Sequence, residues 1–146
     1  MFDSLNINAS ALTAQRLRMD VVSSNIANAN STRGRFVNGE WEPYRRKMVE
    51  MESRQSQFAG IFQTEMSKQA GQGVRVTRIA EDQTPFKLVF DPSHPDANPE
   101  GYVRLPNVDL SREMIDLMAS SRSYEANVTA FNTGKSLMLK ALELGR

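Results

Sequence analysis

Residues 107–146 read NVDLSREMIDLMASSRSYEANVTAFNTGKSLMLKALELGR, and this stretch decides the fold. An apolar or aromatic side chain recurs at every seventh residue: Leu110, Leu117, Tyr124, Phe131 and Met138. A second row, formed by Met114, Val128 and Leu142, widens the apolar stripe, although Ser121 and Lys135 interrupt it. The stretch contains no proline, and residues seven apart lie on one face of a helix, so it predicts one long amphipathic helix that ends at Leu144.

The N-terminal end carries a similar pattern. Apolar side chains again recur every seven residues, at Leu5, Leu12, Met19 and Ile26. This spacing predicts a helix over about residues 4–28, with Arg16, Arg18 and Asp20 on the opposite face. Both helices exceed the usual length of a globular helix, which is typical of chains that assemble through paired helices.

Residues 35–106 have a different character, because all six prolines of the chain lie there. Alternating apolar residues predict strands at 74–79 and 86–90, with a weaker candidate at 41–51. Phe58, Ile61, Phe62 and Met66 fit either a short helix or a loop. The predicted fold is α+β, with long terminal helices that pair as a coiled-coil-like axial domain around a small β-rich middle domain. Its parts are residues 1–34, 35–106 and 107–146.

Composition excludes several classes of function. The net charge is +1, from 18 basic and 17 acidic residues, which offers no electrostatic attraction for nucleic acid or an anionic lipid surface. The chain has no cysteine, so thiol catalysis, disulfides and thiolate metal sites are excluded. The first residues show no cleavable apolar segment, and we therefore expect a cytoplasmic protein or one exported without a signal peptide.

Few side chains point to catalysis. Asp91, His94 and Asp96 lie close together in a proline-rich segment, and a metal-dependent enzyme built on them is one hypothesis. Metal binding that stabilises the fold would identify it. The sequence otherwise predicts no catalytic residue, no cofactor, no metal and no small-molecule substrate. A second hypothesis is a soluble coiled-coil adaptor that binds one partner protein in a discrete complex.

A cluster of Asn and Ser residues at positions 23–30 has two interpretations. Small residues and amides, such as Asn25, Asn28 and Asn30, suit close and directional polar contacts between repeating subunits. The same residue types also cap the end of a helix within one chain. Composition alone leaves both interpretations open.

These motifs carry a resemblance to a known family. The stretch SSNIANANS at 23–31 resembles the N-terminal signature of bacterial flagellar rod, hook and hook-associated proteins. DPSHPDAN at 91–98, followed by GYV at 101–103, LPNV at 105–108 and SSRSYEAN at 120–127, resembles the proximal-rod members of that axial family. The segment 52–72 is longer than the corresponding segment of the family pattern, which predicts an insertion there.

The resemblance implies a non-enzymatic structural subunit of the flagellar basal body. Such a subunit is exported by the flagellar type III apparatus and polymerises in the periplasm, with itself and other rod proteins, into a hollow shaft that transmits torque. Its terminal helices would form the inner tube. The predicted assembly interface consists of Leu5, Leu12, Met19, Asn25, Ile26, Asn28, Asn30, Leu110, Met114, Leu117, Tyr124, Val128, Phe131, Met138 and Leu142.

Overall fold

The computed structural model of the chain describes residues 2–37, 39–54 and 73–144. Two long helices lie at the ends of the chain, and six short strands lie between them. In chain order the elements are α1 (Phe2–Ala27), β1 (Arg35–Val37), β2 (Glu40–Glu42), β3 (Lys47–Ser53), β4 (Val74–Glu81), β5 (Lys87–Phe90), β6 (Tyr102–Leu105) and α2 (Leu110–Leu144). The predicted α+β arrangement, with terminal helices and a small β-rich middle, is confirmed.

Side chains at the helix ends explain where the helices stop and start. Asn28 follows the last residue of α1, and its amide nitrogen donates to the carbonyl oxygen of Ser24 at 2.9 Å. Asp109 precedes α2, and its carboxylate accepts the backbone N–H of Ser111 at 3.0 Å. An acidic side chain in this position satisfies an amide that has no partner within the helix. The C-terminal helix therefore begins at Leu110.

The strands form three separate antiparallel pairs, β1–β2, β3–β4 and β5–β6. The predicted strands at 74–79 and 86–90 correspond to β4 and β5. The candidate at 41–51 is divided into β2 and β3 by the segment that contains Pro43, which cannot donate to a strand ladder. β1 and β6 are three and four residues long, and their patterns were too short to predict.

The pair β3–β4 lies against α1 and turns a charged face to solvent. On that face Arg78 makes two hydrogen bonds to the carboxylate of Glu50, at 2.7 and 2.9 Å. The hydrogen bond from Arg78 lowers the pKa of Glu50, and burial opposes it only in part. Arg75 and Glu52 form a looser pair at 3.4 Å. Such exposed pairs contribute little to stability, so this face is a solvated surface.

The core is small and unusually polar. Among the described residues, the buried hydrophobic side chains are Ala14, Val21, Val22, Ala29, Val103 and Val108. The largest fully buried side chains are instead Glu113, Asn25, Pro106 and Ser120. Since apolar burial is limited, polar contacts must fix much of the geometry. No helix in the described ranges is long and apolar enough to cross a membrane.

The middle segment predicted as an insertion is only partly described. Glu52 and Ser53 are the last residues of β3. The helix or loop predicted at Phe58, Ile61, Phe62 and Met66 lies outside the described residues.

Candidate assembly surface and buried polar cluster

The two terminal helices run antiparallel and contact each other. Near one end of the pair, the amide nitrogen of Asn25 donates to a carboxylate oxygen of Glu113 at 2.9 Å. Near the other end, a Cβ built on Gly134 would lie 3.3 Å from Cδ2 of Leu5. Residue numbers therefore rise along α1 while they fall along the facing side of α2. The apolar rows of both helices are therefore used for packing within a single chain before any contact with another subunit.

The face of α2 toward α1 combines two rows of side chains. The predicted row is half-buried at Leu117, Tyr124, Phe131 and Met138. It alternates, at spacings of three and four residues, with Glu113, Ser120, Asn127 and Gly134. Of these four small or polar residues, Glu113 and Ser120 are fully buried, and Gly134 permits the close approach of Leu5. Polar and small residues thus share the helix contact with the apolar row.

The large apolar residues of α2 that are exposed lie at its two ends. We call Leu110, Met114, Ile115 and Met118 the N-terminal patch. We call Leu137, Leu139, Leu142 and Leu144 the C-terminal overhang. Exposure reaches 61% at Met118, 71% at Leu142 and 89% at Leu144. Between residues 119 and 136, a stretch described throughout, no large hydrophobic side chain is exposed.

The predicted interface residues therefore divide by location. Leu5, Leu12, Met19, Ile26 and Val128 are half-buried, like the predicted row of α2, while Leu110, Met114 and Leu142 are exposed. Asn30 is exposed, and Asn28 is half-buried and bonded to the end of its own helix. Which of these residues contact another subunit stays a prediction.

Asn25 lies inside the chain and not on its surface. Its side chain is fully buried and donates to the carbonyl oxygen of Lys47 at 2.8 Å as well as to Glu113. Its oxygen accepts the hydroxyl of Tyr44 at 3.0 Å and the backbone N–H of Lys47 at 2.9 Å. A direct contact between Asn25 and a neighbouring subunit is thus incompatible with this structure. All the hydrogen-bonding capacity of the amide is used to join α1, α2 and β3.

Arg46 completes this contact on the side of the middle body. Its Nε donates to Glu113 at 2.6 Å, and its terminal nitrogens lie 3.5 Å from carboxylate oxygens of Asp82 and Asp116. Burial lowers the pKa of Arg46, but the hydrogen bonds and charges of Glu113 and Asp82 outweigh it, so the net pKa is raised. The guanidinium therefore stays charged. We call Asn25, Tyr44, Arg46, Asp82, Asn107, Glu113 and Asp116 the polar cluster.

For two members of the polar cluster, no pattern in the sequence indicated their role. Asn107 accepts the backbone N–H of Arg46 at 2.8 Å and donates to the carbonyl oxygen of Asp82 at 3.1 Å. Asp116 lies 3.4 Å from Arg18, which the helix pattern had placed on the solvent face. The Arg18 side chain is 40% exposed, so this ion pair lies at the edge of the contact between the helices.

The ionisable side chains of the proline-rich loop at 91–101 form hydrogen bonds within the loop or with Arg33, which follows α1. Asp91 accepts hydrogen bonds from Ser93, which lower its pKa. Asp96 accepts two hydrogen bonds from the guanidinium of Arg33, at 2.6 and 2.8 Å, and these bonds lower the pKa of Asp96. The ring nitrogen of His94 accepts the backbone N–H of Asp96 at 3.1 Å. In the described part of the chain, no three His, Asp or Glu side chains are grouped to hold a metal ion.

Known proteins are similar in sequence to both ends of the chain and to the segment between them. The family model described as "Flagella basal body rod protein" matches residues 5–34, and the model described as "Flagellar basal body rod FlgEFG protein C-terminal" matches residues 100–144. The chain is 59% identical to the flagellar basal-body rod protein FlgC of Bacillus subtilis (strain 168), over 99% of this chain and 98% of that protein. It is 42% identical to FlgC of Borreliella burgdorferi, covering 99% and 97%, and 42% identical to FlgC of Salmonella typhimurium, covering 100% and 98%.

Proposed function

The chain belongs to the FlgC family of flagellar basal-body rod proteins, and we propose that it enters the rod by polymerising through its paired terminal helices. It is a structural subunit of the basal body and belongs to a family not known for enzymes. Its partners in our proposal are further copies of itself and other rod proteins. We further propose the proximal rod in the periplasm as its place, with export by the flagellar type III apparatus.

One observation supports the polymerisation proposal above the others. After α1 and α2 have paired, eight large apolar side chains of α2 are still exposed, in the N-terminal patch and the C-terminal overhang. A monomeric protein rarely exposes grouped apolar side chains without a partner for them. A fully covered Leu or Met contributes about 1.5–3 kcal/mol, so their burial between subunits is a substantial driving force.

We also propose that the subunit transmits torque, and the polar cluster supports this. A shaft needs a fixed orientation between its inner helices and the body around them. Buried hydrogen bonds fix direction, because each donor and acceptor loses its partner when the geometry changes. Asn25, Arg46 and Glu113 join both helices to the start of β3 in this way.

Leu142→Asp tests the polymerisation proposal. Leu142 is 71% exposed, so we expect the purified variant to unfold at the same denaturant concentration as the parent. In cells we expect no motility and no complete rods, because a carboxylate would have to enter an apolar contact between subunits. Motility on soft agar and electron microscopy of basal bodies are the measurements.

Two matched variants complete the experiment. Ala126→Asp places the same charge on an exposed position of α2 between the two apolar groups, and Arg112→Ala removes an exposed charge beside the N-terminal patch. Both should support motility. Phe131→Asp should lower both stability and rod assembly, since Phe131 is half-buried on the face toward α1. Normal rods built from Leu142→Asp subunits would refute assembly through this surface.

A further inference from the structure

The β3–β4 ladder lies along α1 and is bonded to it at both of its ends. Lys47, the first residue of β3, is bonded to Asn25 through its backbone N–H and its carbonyl oxygen. At the opposite end of the ladder, Ser53 pairs with Val74, and the backbone N–H of Val74 donates to the hydroxyl oxygen of Ser10 at 3.1 Å. Ser10 and Asn25 are 15 residues apart, or about 22 Å of helix, and the seven residues of β3 span about 20 Å. The ladder and the helix therefore match in length between the two attachments.

The attachment at Ser10 uses both functions of its hydroxyl group. The hydroxyl donates its proton to the carbonyl oxygen of Ile7, within α1, at 2.7 Å. Its oxygen accepts the N–H of Val74. Because the bond to Ile7 fixes the rotation of the hydroxyl, the oxygen is held as an acceptor for β4.

Gly73 allows β4 to approach α1 this closely. It is buried, and its φ of 85° lies in the region that favours glycine. A Cβ built on Gly73 would lie 2.5 Å from Oγ of Ser10 and 3.5 Å from Cα of Ile7. A side chain at this position would therefore push the start of β4 away from the helix.

A bulge lies between the two attachments. The register of the ladder shifts between Glu50 and Met51. This shift divides the ladder into a near half, residues 47–50 with 78–81, and a far half, residues 51–53 with 74–76. A bulge bends the strand and interrupts the ladder. The polar cluster fixes the near half through Asn25, but the bulge prevents this orientation from being passed rigidly to the far half.

We propose that Ser10 and Gly73 form a second joint, which fixes the far half of the ladder against α1 and keeps the middle body from twisting about the axial helices. This inference rests on the proposed torque transmission and adds positioning residues to it. A body attached at one point can swivel about that point, and a second attachment about 22 Å away stops the rotation. Swivelling would leave the N–H of Val74 without its acceptor, so the joint resists rotation although one hydrogen bond adds little net stability.

Hydrogen exchange of the purified chain tests the joint, with Ser10→Ala and a matched variant, Thr13→Ala. Each substitution removes one hydroxyl from α1, but the Thr13 hydroxyl is exposed and donates to Ala9 in its own helix. We expect Ser10→Ala to speed exchange throughout the far half, and not only at Val74, while the near half stays as protected as in the parent. Thr13→Ala should leave both halves unchanged. Ser10→Thr keeps the hydroxyl and should retain the protection of the far half.

A double substitution tests the close approach. Gly73→Ala should lower the urea midpoint of unfolding more than Gly39→Ala does. Gly39 has a similar φ of 90°, but apart from its chain neighbours no atom of the described residues lies within 4 Å of a Cβ built on it. In the Ser10→Ala chain the effect of Gly73→Ala should shrink, because the hydroxyl in its way is gone, and that of Gly39→Ala should not. Additive effects at Ser10 and Gly73 would show that they do not form one joint.

The exchange pattern can also overturn the proposal. A change confined to the amide of Val74 would show that Ser10 positions nothing beyond its own bond. Equal acceleration in both halves would show a general loss of stability. Since exchange is measured on the free chain, the joint can fail while polymerisation through α2 stands, and Leu142→Asp can refute polymerisation while the joint stands.

Motility under load tests the link to torque. Ser10→Ala should build rods, and its swimming speed should fall more steeply than that of Thr13→Ala as the viscosity of the medium rises. Equal speeds at every viscosity would exclude the joint from torque transmission. Absence of rods in Ser10→Ala would assign Ser10 to assembly and would also overturn the proposal.

Discussion

The two ends of the helix pair differ in the chemistry of their side chains: one end is polar and the other is apolar. At one end the buried Asn25 and Glu113 and the half-buried Arg46 form hydrogen bonds with each other and with the middle body. At the other end Leu5 meets Gly134, and the helix then runs on with Leu142 and Leu144 exposed. The first end is complete within one chain. In our proposal the second end is covered by another molecule.

This difference teaches how one subunit combines a rigid shape with assembly. Buried polar groups tolerate few geometries, because a displaced donor or acceptor is left unpaired. Apolar contacts are not directional and accept a range of packing angles. A polar cluster thus suits the joint inside the subunit, and an apolar overhang suits the contact that forms during assembly. The cluster specifies an orientation more than it adds stability, since burying charges costs desolvation.

The largest expected effect is at the polar cluster, where Glu113→Ala removes the acceptor shared by Asn25 and Arg46. The Arg46 side chain is only 12% exposed and would lose its shortest ion pair. Breaking a buried pair on one side costs about 3–5 kcal/mol, and we expect this loss in the free energy of unfolding measured by urea denaturation.

Arg78→Ala is the matched control, because it breaks a bidentate pair with Glu50 on the exposed face of β3–β4. We expect a much smaller loss there, because an exposed ion pair contributes little to stability. Equal losses in the two variants would mean that the polar cluster has no special role and that the contrast between the two ends is incorrect.

The same contrast explains what the sequence could predict. Apolar side chains at regular spacing identified both helices and the row from Leu117 to Met138. The stretch around Asn25 was recognised, but its amide was assigned to contacts between subunits as readily as to the chain itself. Its hydrogen-bond partners Lys47 and Glu113 lie 22 and 88 residues away, and Arg46 lies 67 residues from Glu113. These separations follow no regular pattern, so the polar cluster could not be predicted from spacing.

The strands show a second limit of prediction. β4 has eight residues in which apolar and polar side chains alternate almost regularly, and this pattern was sufficient to predict the strand. β1 has three residues, and its cross-strand contact between Phe36 and Trp41, with ring centres 5.2 Å apart, joins residues that are both largely exposed. Short exposed strands lack the alternation that burial on one face produces.

A smaller effect should follow when the same substitution is made near each end, Gly34→Ala and Gly134→Ala. A Cβ on Gly34 would lie 2.6 Å from the backbone nitrogen of Tyr44, which cannot move without disturbing the strands, so we expect a loss of about 1–3 kcal/mol. A Cβ on Gly134 would meet only the end of the Leu5 side chain at 3.3 Å. Alanine favours a helix over glycine by roughly 0.5–1 kcal/mol, so this variant should be slightly more stable in thermal denaturation. A clear loss at Gly134 would show that the open end is as tightly packed as the other.

The smallest effect should appear on acidification, and it should arise at the polar cluster. The backbone N–H of Thr84 lowers the pKa of Asp82, the Thr84 hydroxyl and Arg46 lower it further, and burial opposes them only in part. A lowered pKa means that Asp82 contributes stability above its unfolded pKa of about 3.9, and that this contribution is lost as the pH falls through the folded value. Between about pH 5 and pH 2 the parent should therefore lose more unfolding free energy than Asp82→Asn, whereas above pH 5 their difference should stay constant. Glu143→Gln, which changes an exposed carboxylate of the overhang, should follow the parent at every pH. If Asp82→Asn also follows the parent throughout, this carboxylate does not help to hold the middle body to the helices.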